Sequence, residues 1–260
     1  MHWWLVPELF QQVRKICGGK NVDTVKIKKG NTKIVAHRGL SGLECENTNA
    51  AFVAAGNRSY FGVETDVHVT ADGKLILIHD DNTERVAGDK LEVEKSTYSE
   101  LKKLRLYDRL NKTHRSDLVL PDLIDYIRIC KRYEKIAVLE IKNPMQERDI
   151  LKILKEIDNE DYLEKTILIS FCWENLEIVK NNYPKQKVQF LTKKCDSELV
   201  EKLKKFNIDL DIEYHRITPE LVEKLHKNGI EINCWTCDDK TIGEKLVSFG
   251  VDYITSNILE

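Results

Sequence analysis

The sequence lacks any long apolar segment. None of its hydrophobic runs approaches the roughly 20 residues that a helix needs to cross a bilayer. The first residues, Met1-His-Trp-Trp-Leu-Val, also lack the basic start and the long apolar core of a signal peptide. We therefore expect a soluble, cytoplasmic protein without a transmembrane segment.

The chain also lacks an excess of charge of either sign. It contains 41 lysines and arginines against 43 aspartates and glutamates, for a net charge of −2, and the two signs are interspersed. Proteins that bind nucleic acid usually carry a basic face, and none is visible in this sequence. We therefore expect no nucleic-acid partner.

The seven cysteines lack the spacing of a disulfide framework, and their number is odd. This pattern indicates reduced thiols in a reducing compartment. Cys234-Trp-Thr-Cys237 matches a redox motif, but it falls in a predicted strand. Its odd spacing there places the two thiols on opposite faces, which favours packing residues over a redox pair.

The length of 260 residues suits one large α/β domain, and a barrel of alternating strands and helices typically needs about 250. Apolar residues make up 42% of the chain, which is enough for a full core. Charged residues make up 32%, above the usual ~25%, which indicates a well-solvated, helix-rich surface.

From Lys33 onward, apolar β-branched runs alternate with helical patterns. The predicted strands are Ile34–His37, Val63–Thr70 with Leu75–His79, Ile136–Ile141, Thr166–Phe171, Lys187–Leu191, Ile208–Glu213, Ile230–Thr236 and Asp252–Thr255. The predicted helices are Asn49–Ala55, Tyr98–Leu104, Leu123–Tyr133, Met145–Asn159, Glu174–Tyr183, Ser197–Phe206, Pro219–Lys227 and Thr241–Phe249. Eight such units predict an α/β fold, a (β/α)8 TIM barrel, with a doubly wound open sheet as the alternative.

Two segments fall outside this alternation. Residues 1–32 form a predicted N-terminal extension, with a helix packed across the bottom of the domain and then a strand over Val22–Ile27. Trp3 and Trp4 leave open a contact with a membrane surface. Residues 81–120 read as a charged insertion after the second strand, with one short helix. It either caps the substrate or is a solvated excursion.

The stretch from Val63 to Asp80 carries the strongest chemical signal. It predicts two strands joined by a turn at Ala71-Asp72-Gly73. Residues two apart share a face of a strand, so Glu64, Asp66 and His68 project together. Carboxylates on an otherwise apolar strand are costly to bury without partners, and a divalent cation would satisfy both.

Further polar residues stand at the predicted strand ends, where barrel enzymes place their sites. They are His37-Arg38-Gly39, His79-Asp80, Glu140-Ile-Lys142 and Trp235-Thr236. Three hard oxygen ligands suit Mg²⁺ or Ca²⁺ better than zinc. Arg38 and Lys142 beside them indicate an anionic group, most simply a phosphate. Two histidines flanking a phosphate indicate acid and base catalysis.

In its motifs the chain resembles the glycerophosphodiester phosphodiesterases, from about residue 33 to its end. The resemblance rests on an ordered set: Ile-Val-Ala-His37-Arg38-Gly39, Glu46-Asn47-Thr48, Glu64-Thr-Asp66-Val67, Thr70-Ala-Asp-Gly73, His79-Asp80, Glu140-Ile-Lys142 and Trp235-Thr236. It implies the barrel of residues 33–260, with an insertion after the second strand.

The resemblance also implies roles for these residues. Glu64, Asp66 and Glu140 would hold a divalent metal, Ca²⁺ or Mg²⁺. His37 and His79 would be the acid/base pair. Arg38 and Lys142 would bind the phosphate, and Trp235 would pack on the glycerol carbons. The implied reaction hydrolyses a glycerophosphodiester to glycerol 3-phosphate and an alcohol. In it the substrate's 2-hydroxyl attacks phosphorus, and water opens the cyclic phosphate.

Two departures from the family pattern stand out. Cys45 replaces a proline before Glu46-Asn47-Thr48, and the last strand ends Thr255-Ser256-Asn257 where the family commonly has Thr-Asp. The second change removes a carboxylate near the rim. His68, which either orients Asp66 or fills the barrel, and His215 at a later strand end are weaker candidates.

Other functions remain open at this point. One is a phospholipase-D-like activity on lysophospholipids, against which the charged segment 81–120 argues. Another is a non-catalytic phosphodiester-binding module, which would not need both histidines and all three carboxylates. The sequence leaves the head group, the physiological metal and the oligomeric state undetermined.

Overall fold

The computed structural model describes residues 23–109 and 113–260. Within them the chain forms a sheet of nine strands. These are β1 Lys33–Ala36, β2 Gly62–Val69, β3 Leu75–Leu77, β4 Ile136–Ile141, β5 Thr166–Ser170, β6 Lys187–Thr192, β7 Asp209–Glu213, β8 Ile232–Trp235 and β9 Tyr253–Ser256. The predicted strand ends lie within two residues of these, and those of Ile136–Ile141 are identical.

Eight of these strands close into a parallel barrel. The order runs β1-β9-β8-β7-β6-β5-β4-β2, and β2 pairs again with β1. At the closing seam Val35 lies opposite Gly62 and Ala36 opposite Val63. This pairing confirms the predicted (β/α)8 barrel and excludes the open sheet, which would leave β1 or β2 as an edge.

The ninth strand, β3, lies outside the barrel and runs antiparallel to β2. Val67 pairs with Leu77 and Val69 with Leu75, and the predicted Asp72-Gly73 reversal joins the two strands. Gly73 has a φ of 71°, the left-handed region that such a turn requires. The hairpin brings His79 back toward the end of β2.

Helices separate the barrel strands. They are Asn49–Gly56, Leu123–Arg132, Glu147–Asp158, Trp173–Asn182, Ser197–Phe206, Pro219–Lys227 and Lys240–Phe249. Their ends follow the predicted signals. The hydroxyl of Thr218 accepts a hydrogen bond from the N–H of Leu221, with Pro219 in the first turn. Gly250 ends the last helix in a left-handed conformation.

The core has two layers, because successive strand residues face opposite sides of the barrel wall. Between the wall and the helices, residues such as Ile34, Val67 and Leu139 are fully buried. Inside the barrel a smaller apolar group packs, made of Val35, Val138, Ile167, Ile169, Leu191 and Tyr253. The polar residues described below lie on this inner side.

The insertion carries a small apolar core of its own. Ile76 and Ile78 of the hairpin pack against Val93, Leu101, Leu106 and Leu118. The insertion contains two short helices, Glu84–Ala87 and Tyr98–Leu101, and a 3₁₀ turn at Val93–Lys95. The expectation of one short helix was therefore wrong, because Glu84–Ala87 is a single turn without a capping box to mark its start. Its second helix starts with the predicted capping box at Thr97 and Glu100.

The start of the described chain packs on the barrel. Val25 forms a bridge with Leu259, and the N–H of Ile27 donates to the carbonyl of Glu260. The predicted strand over Val22–Ile27 is reduced to this bridge in its described part. The predicted helix before it, with Trp3 and Trp4, lies outside the described residues, so the division at residue 32 stays a prediction. No helix among the described residues is long and apolar enough to span a membrane.

Candidate active site

Three buried carboxylates meet at the C-terminal end of the barrel. Asp66 of β2 lies in register with Glu140 of β4, and Glu64 projects from the same face of β2. One oxygen of each lies within 4.8 Å of the other two. Their exposed fractions are 2% for Glu64, 1% for Asp66 and 7% for Glu140. The residues predicted to hold a metal are therefore close enough to share one ion.

The pKa values of these groups reflect their crowding. Burial, and then the negative charge of Asp66, raise the pKa of Glu140 to about 7. Burial and the charges of Asp66 and Glu140 also raise the pKa of Glu64 well above its usual range. Asp66 Oδ1 is buried and accepts no hydrogen bond from the described residues. A bound divalent cation would relieve the repulsion between these carboxylates and would contact the oxygen that lacks a hydrogen-bond donor. Three carboxylate oxygens are also the ligands that a hard metal ion prefers.

Two cations lie beside the carboxylates. Lys142 Nζ lies 2.9 Å from Glu140 Oε1 and 3.4 Å from Asp66 Oδ1. Arg38 Nε lies 3.8 Å from Asp66 Oδ2, and Asn47 donates to that oxygen at 2.8 Å. Burial alone would raise the pKa of Asp66, but Lys142, Arg38 and Asn47 together hold it well below its usual range. Asp66 is therefore the carboxylate that stays ionised.

Arg38 occupies a strained position at the end of β1. Its φ is 53°, which non-glycine residues rarely adopt, and its backbone N–H donates to Glu64 Oε2 at 2.7 Å. Gly39 follows with a φ of 72°, and a Cβ there would come within 2.7 Å of the Ala51 backbone. Arg38 Nε is buried and donates no hydrogen bond to the described residues. A guanidinium with a spare donor suits an anionic ligand.

His37 is held by an amide and not by a carboxylate. Its Nδ1 lies 2.8 Å from Asn257 Oδ1, and its Nε2 lies 4.0 Å from Glu64 Oε2. Burial, and then the positive charge of Arg38, lower the pKa of His37 to about 4. The imidazole is therefore neutral near pH 7, a state in which it can accept a proton.

His79 is paired with a carboxylate on the insertion side of the cavity. Its Nδ1 lies 2.6 Å from Asp80 Oδ1. Arg85 donates through Nε to Asp80 Oδ2 at 2.6 Å and through its two terminal nitrogens to Glu46. Burial and the nearby cations Arg38 and Lys142 lower the pKa of His79, against the opposing effect of Asp66 and Asp80. The two histidines thus sit in different environments.

These residues border a cavity of about 130 Å³. Its lining is His37, Arg38, Glu64, His79, Glu140, Ile169, Phe171, Leu191, Asp211, Trp235, Thr236 and Thr255. Trp235 and Phe171 form an apolar wall, with ring centroids 5.5 Å apart and planes at 82°. Asp66 and Lys142 are not part of this lining, but Lys142 Nζ lies 2.9 Å from Glu140 Oε1 and Asp66 belongs to the carboxylate cluster. The structure therefore brings all eight predicted site residues together.

The weaker histidine candidates contact other groups. His68 is fully buried, and its Nδ1 lies 3.1 Å from Glu94 of the insertion. Asn143, which follows β4, also donates to Glu94. His68 thus links the barrel to the insertion and makes no hydrogen bond to Asp66. His215 stacks on Tyr214 with centroids 3.9 Å apart and is not part of the cavity lining.

Several residues at the site were not singled out from the sequence. Asn257 is the hydrogen-bond partner of His37, and Arg85 holds Asp80, the partner of His79. Asp238 accepts hydrogen bonds from Asn257 and Ser256. A carboxylate at the end of β9 is thus supplied by Asp238, which follows β8, contacts Asn257 and does not line the cavity. Asn47 stands in the Glu46-Asn47-Thr48 motif, which was the available signal. Arg85 lies in a charged segment without a recognisable motif, so no sequence signal marked it.

The cysteines of the described residues are free thiols. Cys234 and Cys237 are fully buried, and burial raises the pKa of Cys237 to about 11 and that of Cys234 well above its usual range. A redox pair needs an accessible thiolate, so these properties fit packing residues.

The motifs and the site geometry can be compared with known proteins. Residues 37–259 match the glycerophosphoryl diester phosphodiesterase family. The chain belongs to this family. Membership assigns it to the phosphoric diester hydrolases, and it confirms the resemblance inferred from the motifs. The match begins at His37, at the site itself.

Individual relatives agree with this assignment. A glycerophosphodiester phosphodiesterase of Caldanaerobacter subterraneus subsp. tengcongensis is 33% identical over 235 residues, covering 87% of this chain and 94% of the relative. A glycerophosphodiester phosphodiesterase structure from Parabacteroides distasonis has a TM-score of 0.75 at 27% identity, with 88% and 94% covered. An Oleispira antarctica phosphodiesterase, solved with sn-glycerol 3-phosphate, has a TM-score of 0.79 at 24% identity, with 86% and 92% covered. The last of these shows a shared fold.

Proposed function

We propose that this protein hydrolyses glycerophosphodiesters to glycerol 3-phosphate and an alcohol, and that the reaction depends on a divalent metal. The observation that carries the proposal is the joint placement of three buried carboxylates, an unpartnered arginine N–H and two histidines around one cavity. Each part has a use in phosphodiester cleavage, and a mere binding site would need only the cations.

Glu64, Asp66 and Glu140 are the residues that would hold the cation, and all-carboxylate ligation favours Ca²⁺ or Mg²⁺. When bound, the ion would polarise the phosphoryl oxygens as a Lewis acid. Arg38 and Lys142 flank the same position and would neutralise phosphate charge. The spare N–H of Arg38 supports this role, because a bound phosphoryl oxygen would satisfy it.

His37 is proposed as the base of the first step. Asn257 Oδ1 can only accept a hydrogen bond, so Nδ1 of His37 carries the proton and Nε2 is left free to take one. The proton would come from the 2-hydroxyl of the glycerol moiety as that oxygen attacks phosphorus. The lowered pKa of His37 supports this role, because the imidazole can accept a proton only if it is unprotonated before the step begins.

His79 is proposed as the acid that protonates the departing alcohol. Asp80, which Arg85 fixes in position, stabilises the imidazolium form and so opposes the burial and the neighbouring cations that lower the pKa of His79. Water would then open the cyclic phosphate with the two histidines in exchanged roles. The contrast between an amide partner and a carboxylate partner supports this division of labour.

The alternatives find less support. The rim beside His79 carries Glu46, Asp80 and Arg85, a charged border unsuited to the acyl chain of a lysophospholipid. A non-catalytic binding module would not need a neutral histidine beside a carboxylate cluster.

Trp235 would pack on the glycerol carbons, with Phe171 beside it. A cytoplasmic location and an extension over residues 1–32 stay predictions.

The test is release of glycerol 3-phosphate from glycerophosphocholine, glycerophosphoethanolamine and glycerophosphoglycerol, each assayed with Ca²⁺, Mg²⁺ and Mn²⁺. Chelation should abolish the release, and the preferred ion should restore it. Lysophosphatidylcholine serves as the competing substrate. Faster release of choline from lysophosphatidylcholine would favour the phospholipase-D-like alternative, and metal-independent release would contradict the proposed metal role.

A further inference from the structure

One carboxyl group in the cavity has no part in the mechanism above. Asp211 stands on β7, with its side chain inside the barrel, and is 1% exposed. It lines the same cavity as His37 and Glu140. Its Oδ2 accepts a hydrogen bond from Asn233 at 3.1 Å. Its Oδ1 is buried and has no hydrogen-bond partner among the described residues.

A buried, unpartnered carboxyl oxygen costs free energy, so its presence on a cavity wall calls for a ligand. Asp211 also lies among neutral polar side chains. Asn233 donates to Gln189 as well, and Thr255 donates to Asn233 Oδ1 at 3.3 Å. None of these supplies a cation. The position therefore suits a neutral ligand group that can form hydrogen bonds, and it does not suit a phosphate.

The protonation state agrees with this geometry. Burial raises the pKa of Asp211 well above that of an exposed aspartate, and the negative charge of Glu140 adds to the effect. A protonated carboxyl donates one hydrogen bond through its O–H and accepts others through its carbonyl oxygen. A hydroxyl group is the matching partner, because it also donates and accepts.

We propose that Asp211 binds the terminal hydroxyl of the substrate's glycerol moiety and selects glycerophosphodiesters in which that hydroxyl is free. The inference rests on the proposed function and extends it to specificity. A hydroxyl blocked by an acyl ester cannot donate to Asp211, whose buried Oδ1 would then stay without a partner. Asp211 thereby separates glycerophosphodiesters from lysophospholipids.

The test compares two substrates that differ only at this hydroxyl. One is glycerophosphocholine and the other is the phosphocholine ester of propane-1,2-diol, which keeps the attacking 2-hydroxyl. We expect the wild type to prefer glycerophosphocholine by about 10- to 100-fold in kcat/KM, since a buried polar group left unpaired is penalised. The preference should appear chiefly in KM, because the hydroxyl does not react.

Variants then assign the preference to Asp211. Asp211→Val should bring the two kcat/KM values together by slowing only glycerophosphocholine. Asp211→Asn, which keeps one donor and one acceptor, should retain most of the preference. Tyr60→Phe is the matched control. It removes another buried polar atom without a hydrogen-bond partner among the described residues, and Tyr60 does not line the cavity, so the preference should persist.

A binding measurement covers the case in which Asp211→Val does not fold. Calorimetry on the wild type and on Asp211→Asn, each loaded with metal, should show tighter binding of sn-glycerol 3-phosphate than of the phosphate of propane-1,2-diol. Equal Kd values for the two, or equal kcat/KM values for the two esters in the wild type, would overturn the role of Asp211 and leave the proposed function standing. A wild type that releases no glycerol 3-phosphate with any tested metal would instead remove the proposed function, and this inference with it.

Discussion

The amide oxygen of Asn257 lies 2.8 Å from Nδ1 of His37, and the amide nitrogen lies 2.6 Å from a carboxylate oxygen of Asp238. Ser41 also donates to the amide oxygen at 2.7 Å. The carboxylate therefore fixes which end of the amide faces the histidine. As a result, Nε2 of His37, which faces the cavity, is unprotonated. The partner of Nδ1 on the opposite side of the ring is a neutral amide oxygen.

Exchanging the two partners should move the pH profile. In the double variant Asn257→Asp with Asp238→Asn, the hydrogen bond between positions 257 and 238 can persist, but a carboxylate now contacts His37. That carboxylate stabilises the imidazolium and raises the pKa of His37 from about 4. Because the base acts only when unprotonated, activity is lost as pH falls through this pKa. We expect the acidic limb of kcat/KM to move upward by about 1 to 3 pH units.

The single variant Asp238→Asn is the control for that exchange. It removes the same carboxylate without placing one beside His37, so it should leave the acidic limb where the wild type has it. An unmoved limb in the double variant would mean that His37 does not act as the base in the free enzyme.

Removing His79 should slow only those substrates whose leaving group needs a proton. For His79→Ala we expect kcat on glycerophosphocholine to fall by about 10²- to 10⁴-fold, the usual contribution of a general acid. The 4-nitrophenyl ester of glycerol 3-phosphate should be much less affected, because nitrophenolate leaves without protonation. Metal binding, measured by calorimetry, should be unchanged. An equal loss on both esters would argue that His79 positions the substrate and does not act as the acid.

Arg85 joins the insertion to both sides of the site, so it should matter for turnover. Arg85→Met keeps an unbranched side chain of similar stem length but removes the guanidinium that holds Asp80 and Glu46. We expect kcat/KM to fall by about 10-fold, on the scale of lost charge-assisted hydrogen bonds. Arg115→Met is the matched control, because Arg115 also pairs with several carboxylates of this region, Glu44, Asp108 and Asp117, but with neither Asp80 nor Glu46. Equal effects would indicate a general loss of insertion stability.

The metal-free protein should gain stability when one carboxylate of the cluster is neutralised. Burial and Asp66 raise the pKa of Glu140 to about 7, so the folded state holds a proton that the unfolded state releases above about 4.5. The free energy of unfolding of the chelated protein should therefore fall as pH rises between these values. Glu140→Gln should remove much of this fall and be the more stable protein at pH 8.

The same variant should lose its response to metal. Adding the preferred cation should raise the Tm of the wild type, since ligand binding to the folded state stabilises it, and should raise that of Glu140→Gln far less. Differential scanning calorimetry with chelator and with each cation measures both effects. An identical metal response in the two proteins would exclude Glu140 as a ligand.

Some features of the site did not need the fold to be recognised. The period of two along β2 placed Glu64 and Asp66 on one face, and strand-end residues of a parallel barrel share one rim. Those two rules predict that the three carboxylates, both histidines, Arg38 and Lys142 lie at the same rim of the barrel. The insertion was harder to interpret. Its apolar residues are spaced irregularly because they pack around a hairpin and not along a helix face.

Strand periodicity and the local strand and helix signals were enough to predict the barrel and the polar residues at its rim, and the family resemblance added the roles proposed for them. The partners of the two histidines, and the lack of a partner for Asp211 Oδ1 among the described residues, became visible only in the folded chain. The positions of three side chains depend on how distant strands and loops pack together, which no local sequence pattern predicts: Asn257, Arg85 and Asp211. The hydrogen bond that His37 donates to Asn257 spans 220 residues of sequence, and pairing of β1 with β9 brings the two residues together.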